Sequence, residues 1–364
     1  MEPVKLGLIG LGGMGKQHLE RELSLEEVRF TAIADSRREV TDELAAKYGI
    51  AGFYSADDLI ASGLCEAVLI ATPHPFHPTI AERAATAGLH VLTEKPLAVT
   101  VAEGDAMLAA ARAARVTLGI MFQTRTVPAY QKAKELLDAG AIGRVYRTTL
   151  VASNWYRSQA YYDSGSWRGT WAGEGGGIIM NQAPHSLDLF IWLGGLPSRV
   201  TASVETRFHK IEVEDTASAL LEYPDGKTGY FYATTAEWPG ENRIELTGTT
   251  GKLVIDGTPA LRIYRMPKSI TDEIASGTMW GKPEPGIWED VPVEAVPASH
   301  AKVVSQFARA IRLGEPLIAT GEDGLRALEL ANAILLSGFQ RRAVELPVER
   351  AEYEAFIAAK RAGR

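Results

Sequence analysis

The sequence holds a single cysteine, Cys65, among 364 residues. No disulfide can form within the chain, and a reducing compartment fits. Nowhere does an apolar run approach the roughly 20 residues that a membrane-spanning helix needs. Val4–Ile9 is apolar but short, and it runs into a glycine turn instead of a small-residue cleavage site. No secretory leader is therefore expected, and the chain reads as cytoplasmic. Basic tracts are missing too: Arg37-Arg38 and Arg341-Arg342 are the densest points in a chain of net charge −7. That balance leaves no electrostatic footprint for nucleic acid or an anionic membrane. C-x-x-C and H-x-x-x-H spacings do not occur, so His74, His77 and Cys65 are not read as metal ligands and no metal is expected. Internal repeats and low-complexity segments are likewise absent.

What remains is a chain with 46% hydrophobic and 23% charged residues, an ordinary globular balance. Its length is too great for one core and suits two domains. The first 122 residues alternate short apolar runs with amphipathic stretches. Val4–Ile9, Arg29–Asp35, Ala67–Ala71, His90–Glu94 and Thr117–Met121 read as buried strands. Helices follow them to about Glu22, over Glu39–Tyr48 and Pro78–Ala87, and from the Thr100-x-x-Glu103 capping box to Ala114. Strand–helix alternation with apolar strands implies a parallel sheet covered on both faces.

The rhythm changes after residue 122. A helix over Pro128–Ala139 and a strand over Arg147–Ser153 lead into a Gly-, Trp- and Tyr-rich loop. A helix ending at Leu193-Gly194-Gly195 follows, then strands near 200–206, 216–223, 227–234, 243–247, 252–255 and 261–264. Asp225-Gly226 marks a hairpin between two of them. Residues 266–298 are rich in Pro, Gly and Trp without periodicity and are expected to form a long loop or lid. Two more helices are expected over 299–313 and 321–342. The fold class is thus an α/β Rossmann domain (1–122) plus an α+β domain with a large, mostly antiparallel sheet (123–364), whose last helices are expected to pack back on the first domain.

Gly10-Leu11-Gly12-Gly13-Met14-Gly15 matches G-x-G-x-x-G in the required context. A strand precedes it, a helix follows, and Asp35 ends the next strand. Gly10 serves the tight turn, Gly12 and Gly13 the approach of a pyrophosphate, and Gly15 the close packing of helix on strand. Met14 lines the same turn. Asp35 is expected to accept the ribose hydroxyls, which favours NAD over NADP. Arg37-Arg38 pulls the other way, because arginine pairs with a 2′-phosphate.

Glu94-Lys95-Pro96 after the fourth strand, together with Ala71-Thr72-Pro73-His74-Pro75-Phe76-His77 after the third, resembles the Gfo/Idh/MocA oxidoreductase family. The C-terminal stretch from Thr320 to Glu329 carries the same resemblance, which covers nearly the whole chain. The resemblance implies that Lys95 lies beside the nicotinamide and the reacting hydroxyl, with a cis Lys95–Pro96 bond. It places Thr72, Pro73, His77 and Glu94 among the cofactor contacts. It also implies a catalytic role for His185 in the segment Gly175 to Leu189, where many members carry Asp-x-x-x-His. Here Asn181 stands in the Asp position, four residues before His185, a spacing that puts both on one helical face. An amide cannot take a proton, so base work falls to His185 or Lys95. Asn181 is otherwise a helix cap.

Tyr156, Tyr162, Trp167 and Arg168, in the aromatic loop, suit a polyol ring, which offers C–H patches and a rim of hydroxyls. Arg125 and Tyr130 are expected to close the same pocket. The expected activity is NAD-dependent oxidation of a secondary hydroxyl of a sugar or glycoside, the C3 position of a glucoside being the first choice. An inositol or cyclitol dehydrogenase is the second reading, and a dinucleotide-sensing protein without turnover the third. Family sheets pair between subunits, so a homodimer or homotetramer is expected.

Overall fold

The N-terminal apolar runs form strands because β-branched and leucine side chains fill both faces of a covered parallel sheet. The structure, a computed structural model, describes residues 1–257 and 260–363. It divides into two compact units. The first comprises Met1–Gln123, Ala172–Gly175 and Ala298–Leu328; the second comprises Thr124–Trp171, Gly176–Pro297 and Glu329–Arg364.

In chain order the first unit contains β1 (Val4–Ile9), α1 (Gly13–Glu22), β2 (Val28–Ala34), α2 (Arg38–Tyr48), β3 (Ala51–Phe53) and α3 (Ala56–Ala61). It continues through β4 (Ala67–Ile70), α4 (His77–Thr86), β5 (His90–Thr93), α5 (Val101–Ala114) and β6 (Leu118–Ile120). These strands make a parallel sheet in the order β3-β2-β1-β4-β5-β6. The order reverses direction between β1 and β4, where doubly wound sheets hold their ligands. Thr100 and Glu103 close the capping box that starts α5. The short edge strand β3 and the six-residue α3 are not legible in the hydrophobic pattern. β3 is only partly buried, and α3 rests on one buried residue, Leu59, and its Ser55 cap.

The chain then forms α6 (Pro128–Asp138), β7 (Val145–Ala152), α7 (Gln159–Asp163), α8 (Ile178–Asn181), α9 (Pro184–Gly194), β8 (Arg199–Glu205) and β9 (Thr216–Glu222). β10 (Thr228–Thr234), β11 (Asn242–Gly248), β12 (Gly251–Asp256), β13 (Ala260–Arg265), α10 (Ile270–Ser276) and β14 (Ile287–Val291) follow. α11 (His300–Leu313), α12 (Gly321–Gln340), β15 (Val344–Glu345) and α13 (Arg350–Arg361) complete the chain. α11 contributes Val303, Val304, Phe307 and Ala308 to the same core as Leu6, Leu8 and Phe30 of the parallel sheet. The division between units falls inside α12.

The second unit carries a sheet in the order β14-β13-β12-β11-β7-β10-β9-β8-β15. Its pairs are antiparallel except β7 with β10. In β9 the buried Ala217, Ala219 and Leu221 alternate with the more exposed Ser218 and Leu220, as a sheet with one covered face requires. The covered face takes Phe231 of β10 edge-on to Phe190 of α9, with ring centroids 6.0 Å apart.

Three expectations are corrected. Residues 266–298 are not one long loop: α10 starts on a Ser269 cap, and β14 extends the sheet beside β13. No residue of α10 is buried and β14 is almost wholly exposed, so neither leaves a periodic signature. Asn181 and His185 do not share a helix. Asn181 ends the four-residue α8, and α9 begins at Pro184, whose ring cannot follow a helical turn without losing a hydrogen bond. Asn181 is not the cap of α9 either, since Ala183 takes that place. Finally, α13 closes the chain beyond the last helix the sequence pattern reveals.

Packing on the covered face sets a clear stability expectation. Replacing the fully buried Phe231 by Ala should cost about 3–5 kcal/mol. The same change at Phe208, 76% exposed, should stay within about 0.5 kcal/mol of the parent. Urea midpoints followed by tryptophan fluorescence compare the two, and equal midpoints would refute the packing assigned to β10.

Candidate cofactor and substrate sites

In the first unit, β1 leads into a turn that only glycine can build. Gly10 has φ +98°, and a Cβ there would lie 2.6 Å from the Ala71 carbonyl oxygen. Gly15 packs so closely that a Cβ would stand 1.9 Å from the Gly10 carbonyl oxygen. At Gly12 and Gly13 the opposite holds: a Cβ would meet nothing within 4 Å. Gly12 is the N-cap of α1, no side chain caps that end, and its first turn carries no acidic residue. The positive end of the helix is thus left for an anion, beside open space. In the turn after β4, which backs onto Gly10, the buried Thr72 hydroxyl has no partner among the described residues. These features fit a dinucleotide pyrophosphate.

Asp35 follows β2. Its carboxylate accepts the Leu11 N–H at 2.8 Å and the Arg37 N–H at 2.9 Å. The Arg37 guanidinium grips both oxygens, each at 2.9 Å. Burial works against the charge, but the Arg37 and backbone bonds outweigh it and hold the carboxyl below its usual range. Asp35 is therefore anionic, and Arg37 is paired with it instead of standing free.

The structure gives His77 a bracing position. Wholly buried, it sets its two ring nitrogens 2.9 Å from the Pro96 carbonyl and 2.8 Å from that of Thr72. It so ties the loop of Thr72-Pro73 to that of Lys95-Pro96. Glu94 likewise turns inward, its Oε1 lying 2.9 Å from His18 Nε2. His18 Nδ1 in turn lies 2.9 Å from Glu22 Oε1. Burial opposes the charged imidazole, yet the hydrogen bonds and negative charges of Glu22 and Glu94 prevail and raise it to about 9. Burial also opposes the Glu94 charge, but His18 and Lys95 bring that carboxyl down to about 2. Glu22 moves upward, chiefly through burial. Lys95 is half-buried at the end of β5, its peptide to Pro96 is cis, and its N–H donates to Glu94 Oε2 at 3.2 Å.

His18 and Glu22 carry no recognisable motif in the sequence. Their i, i+4 spacing on α1 was visible, but Glu94 stands 76 residues away from His18 and no local pattern joins it to them.

In the second unit the glycine run is fixed by a buried acid. Both Glu214 carboxylate oxygens accept the Gly177 N–H at 2.9 Å, and Oε1 also accepts that of Ile179 at 3.1 Å. A Cβ on Gly177 would stand 1.8 Å from the Glu214 carbonyl oxygen. This anchors α8, and the chain proceeds to His185, buried in the first turn of α9.

Tyr161 forms a hub here. Its hydroxyl accepts from Arg168 at 2.5 Å, from Gln182 at 3.3 Å and from Asn181 at 3.5 Å. The Arg168 guanidinium lies over the rings of Tyr161 and Trp167, at 4.3 and 4.5 Å. Asn181, Trp167 and Arg168 are therefore brought together. Tyr162 is buried instead, its hydroxyl 3.0 Å from Thr235 Oγ1. Tyr156 is exposed against Trp238. Arg125 is buried and grips Asp188 with two nitrogens, at 2.9 and 2.6 Å. Tyr130 is buried, its hydroxyl hydrogen-bonded to Asn242. Arg125 and Tyr130 thus have partners in Asp188 and Asn242. Among the described residues no cluster of His, Cys, Asp or Glu could hold a metal ion, and no helix is long and apolar enough to cross a membrane.

Comparison with known proteins gives two family matches. Residues 4–122 match an oxidoreductase family with an NAD-binding Rossmann fold, and residues 130–254 match the GFO/IDH/MocA C-terminal domain. The chain is 29% identical to D-apiose dehydrogenase of Paraburkholderia graminis, over 96% of this chain and 92% of that protein. It is 27% identical to inositol 2-dehydrogenase of Rhizobium meliloti, over 94% and 99%. Among solved structures it resembles the WlbA dehydrogenase of Bordetella pertussis, determined with NADH and UDP-GlcNAcA. That likeness has 30% identity and a TM-score of 0.80, and covers 95% of this chain and 100% of the other.

The contrast between the glycines is testable. Gly12→Ala should leave the melting temperature of the free protein within about 2 °C and weaken NADH binding at least about tenfold, because its methyl fills only the ligand's space. Gly15→Ala, with backbone in the way, should lower both. Calorimetry with NADH titration decides it; unchanged affinity in Gly12→Ala would remove the pyrophosphate from this turn.

Proposed function

The chain belongs to the Gfo/Idh/MocA oxidoreductase family, and on that premise we propose that it oxidises the C3 hydroxyl of a glucoside to a ketone. The observation that carries the reading is the position of Lys95. It follows β5, only two strand spacings (about 10 Å) from β1 and its glycine turn in a parallel sheet. The NAD-binding Rossmann fold, NAD as cofactor and the sugar or polyol dehydrogenase class are established by the family. The sugar and the hydroxyl are our inference.

NAD, when bound, would supply an acceptor for the hydride of the carbinol C–H bond. The chain's residues do the rest. The turn from Gly10 to Gly15 and the end of α1 hold the pyrophosphate, with Thr72 and Pro73 alongside. Asp35 accepts the ribose hydroxyls, one of its oxygens being released by Arg37. The Lys95 ammonium donates to the carbinol oxygen and polarises it. The imidazole of His185 takes the hydroxyl proton on a ring nitrogen as the C=O bond forms, and passes it to water. Asn181, Arg168 and Trp167, assembled around Tyr161, orient the ring by hydrogen bonds and a flat apolar face. Tyr156 flanks them; Tyr162 supports them from beneath.

Inositol 2-dehydrogenase among the relatives favours a cyclitol as the second reading. We further infer that the exposed face of the nine-stranded sheet, where Leu220 is 60% exposed, pairs with a second copy in a homodimer or homotetramer.

Absorbance at 340 nm with NAD and a panel of glucosides, other pyranosides and inositols tests the reading. Turnover of a glucoside supports it, turnover of inositols alone supports the cyclitol reading, and NADH binding with no turnover points to a dinucleotide sensor. With the best substrate, Lys95→Met should lower kcat by on the order of 10²–10⁴ while NAD affinity holds. His185→Ala should depress kcat and flatten the acidic limb of the pH profile. A Lys95→Met enzyme near parental turnover removes that lysine from the mechanism.

A further inference from the structure

A buried cluster of His18, Glu22 and Glu94 takes no part in the steps proposed above. His18 is 1% exposed, Glu22 is fully buried and Glu94 is 6% exposed. Both His18 ring nitrogens face carboxylate oxygens: Nδ1 faces Glu22 at 2.9 and 3.1 Å, and Nε2 faces Glu94 at 2.9 Å. A neutral imidazole carries one N–H and would set its other lone pair against an anion, whereas the imidazolium donates to both. The ring of His300, at the start of α11, lies edge-on to His18 with centroids 5.5 Å apart and completes the enclosure. Replacing such a cluster with apolar side chains is commonly neutral or favourable for stability, so stability alone is a weak account of it.

Its geometry leads to the reactive lysine. Glu94 Oε1 receives His18 and Glu94 Oε2 receives the Lys95 N–H at 3.2 Å, which fixes the carboxylate plane and with it the backbone of Lys95. His18 stands on α1, one turn after Gly15, so the helix that holds the pyrophosphate also bears the strut. We propose that His18 is a positioning residue: bridging Glu22 and Glu94, it sets the place of Lys95 relative to the dinucleotide and keeps a carboxylate charge beside the Lys95 ammonium. The inference rests on the reading of Lys95 given above. Glu94 favours and Lys95 opposes charge on the neighbouring His74 and His77, which burial pushes below the usual imidazole range. Arg21, on the same helix, adds positive charge near His300 and Glu22.

The test combines proton NMR titration with kinetics on the full chain, using His18→Gln, Glu94→Gln and Glu22→Gln. In the parent, the His18 ring carbon should titrate near 9. Removing the Glu94 charge takes away an interaction that favours the ammonium, so the signal of isotopically labelled Lys95 should move toward lower pH in Glu94→Gln. His18→Gln should cut kcat by on the order of 10–10²-fold through misplacement, with the KM for NAD within about threefold, since the glycine turn is intact. Glu22→Gln, the mildest variant, keeps the His18–Glu94 pair and should bring the His18 titration down while kcat falls less. His18 titrating at or below the ordinary 6.5, or Lys95 indifferent to Glu94→Gln, overturns the proposal. So does a His18→Gln protein that melts lower yet turns over at the parental rate. Should Lys95→Met prove fully active, the catalytic reading fails, while the NMR titrations still report whether His18 and Glu94 govern Lys95.

Discussion

Gly15 lies on the carbonyl of Gly10 with no room for a methyl group, the added carbon being only 1.9 Å from the oxygen. That contact sets how far the axis of α1 stands from β1, and much of the first unit follows from it. It turns the helix end toward the open space at Gly12 and Gly13. It brings the Leu11 N–H onto the Asp35 carboxylate. One turn further along, it delivers His18 to Glu94 at the end of β5. A bulkier residue at position 15 would move all three together, because a helix shifts as a rigid rod.

Buried carboxylates recur as the means by which this chain holds irregular backbone still. Glu214 gathers the N–H groups of Gly177 and Ile179 at the start of α8. Asp215, its neighbour, accepts those of Arg207, Phe208 and His209 and the His209 ring. His209 in turn reaches the Arg157 carbonyl and packs on Tyr162. A loop cannot satisfy its amides by itself, and an ionised carboxyl is the strongest acceptor that can do it from inside. The segment held by Glu214 leads into Asn181, and the one held by Asp215 packs through His209 on Tyr162.

Local signals made the first sheet legible. The glycine turn, Asp35 and the Thr100 capping box are short-range features whose chemistry is tied to one backbone geometry. The parallel sheet and the mostly antiparallel one follow from continuous and alternating apolar patterns, and both stand as read. Elements that bury almost nothing escaped: β3, α3, α10 and β14 leave no periodicity because solvent, not a core, faces their side chains. The helix break between Asn181 and His185 was written in Pro184, but the spacing of four was read as one helix. The roles of Arg125 and Glu94 were hidden for another reason. Their partners, Asp188 and His18, lie 63 and 76 residues away in the chain, and only the fold brings them to hydrogen-bonding distance.

In the proposed reaction the substrate's carbon-bound hydrogen would leave for the nicotinamide, while the oxygen-bound one passes through side chains to water. Isotope tracing tests that division directly, using the best substrate of the panel carrying deuterium on the reacting carbon. The account predicts one deuterium in the reduced nicotinamide, none exchanged with solvent, and a slower kcat than for the unlabelled substrate whenever the C–H step limits the rate. Label recovered in water, or a reduced cofactor without deuterium, would contradict it.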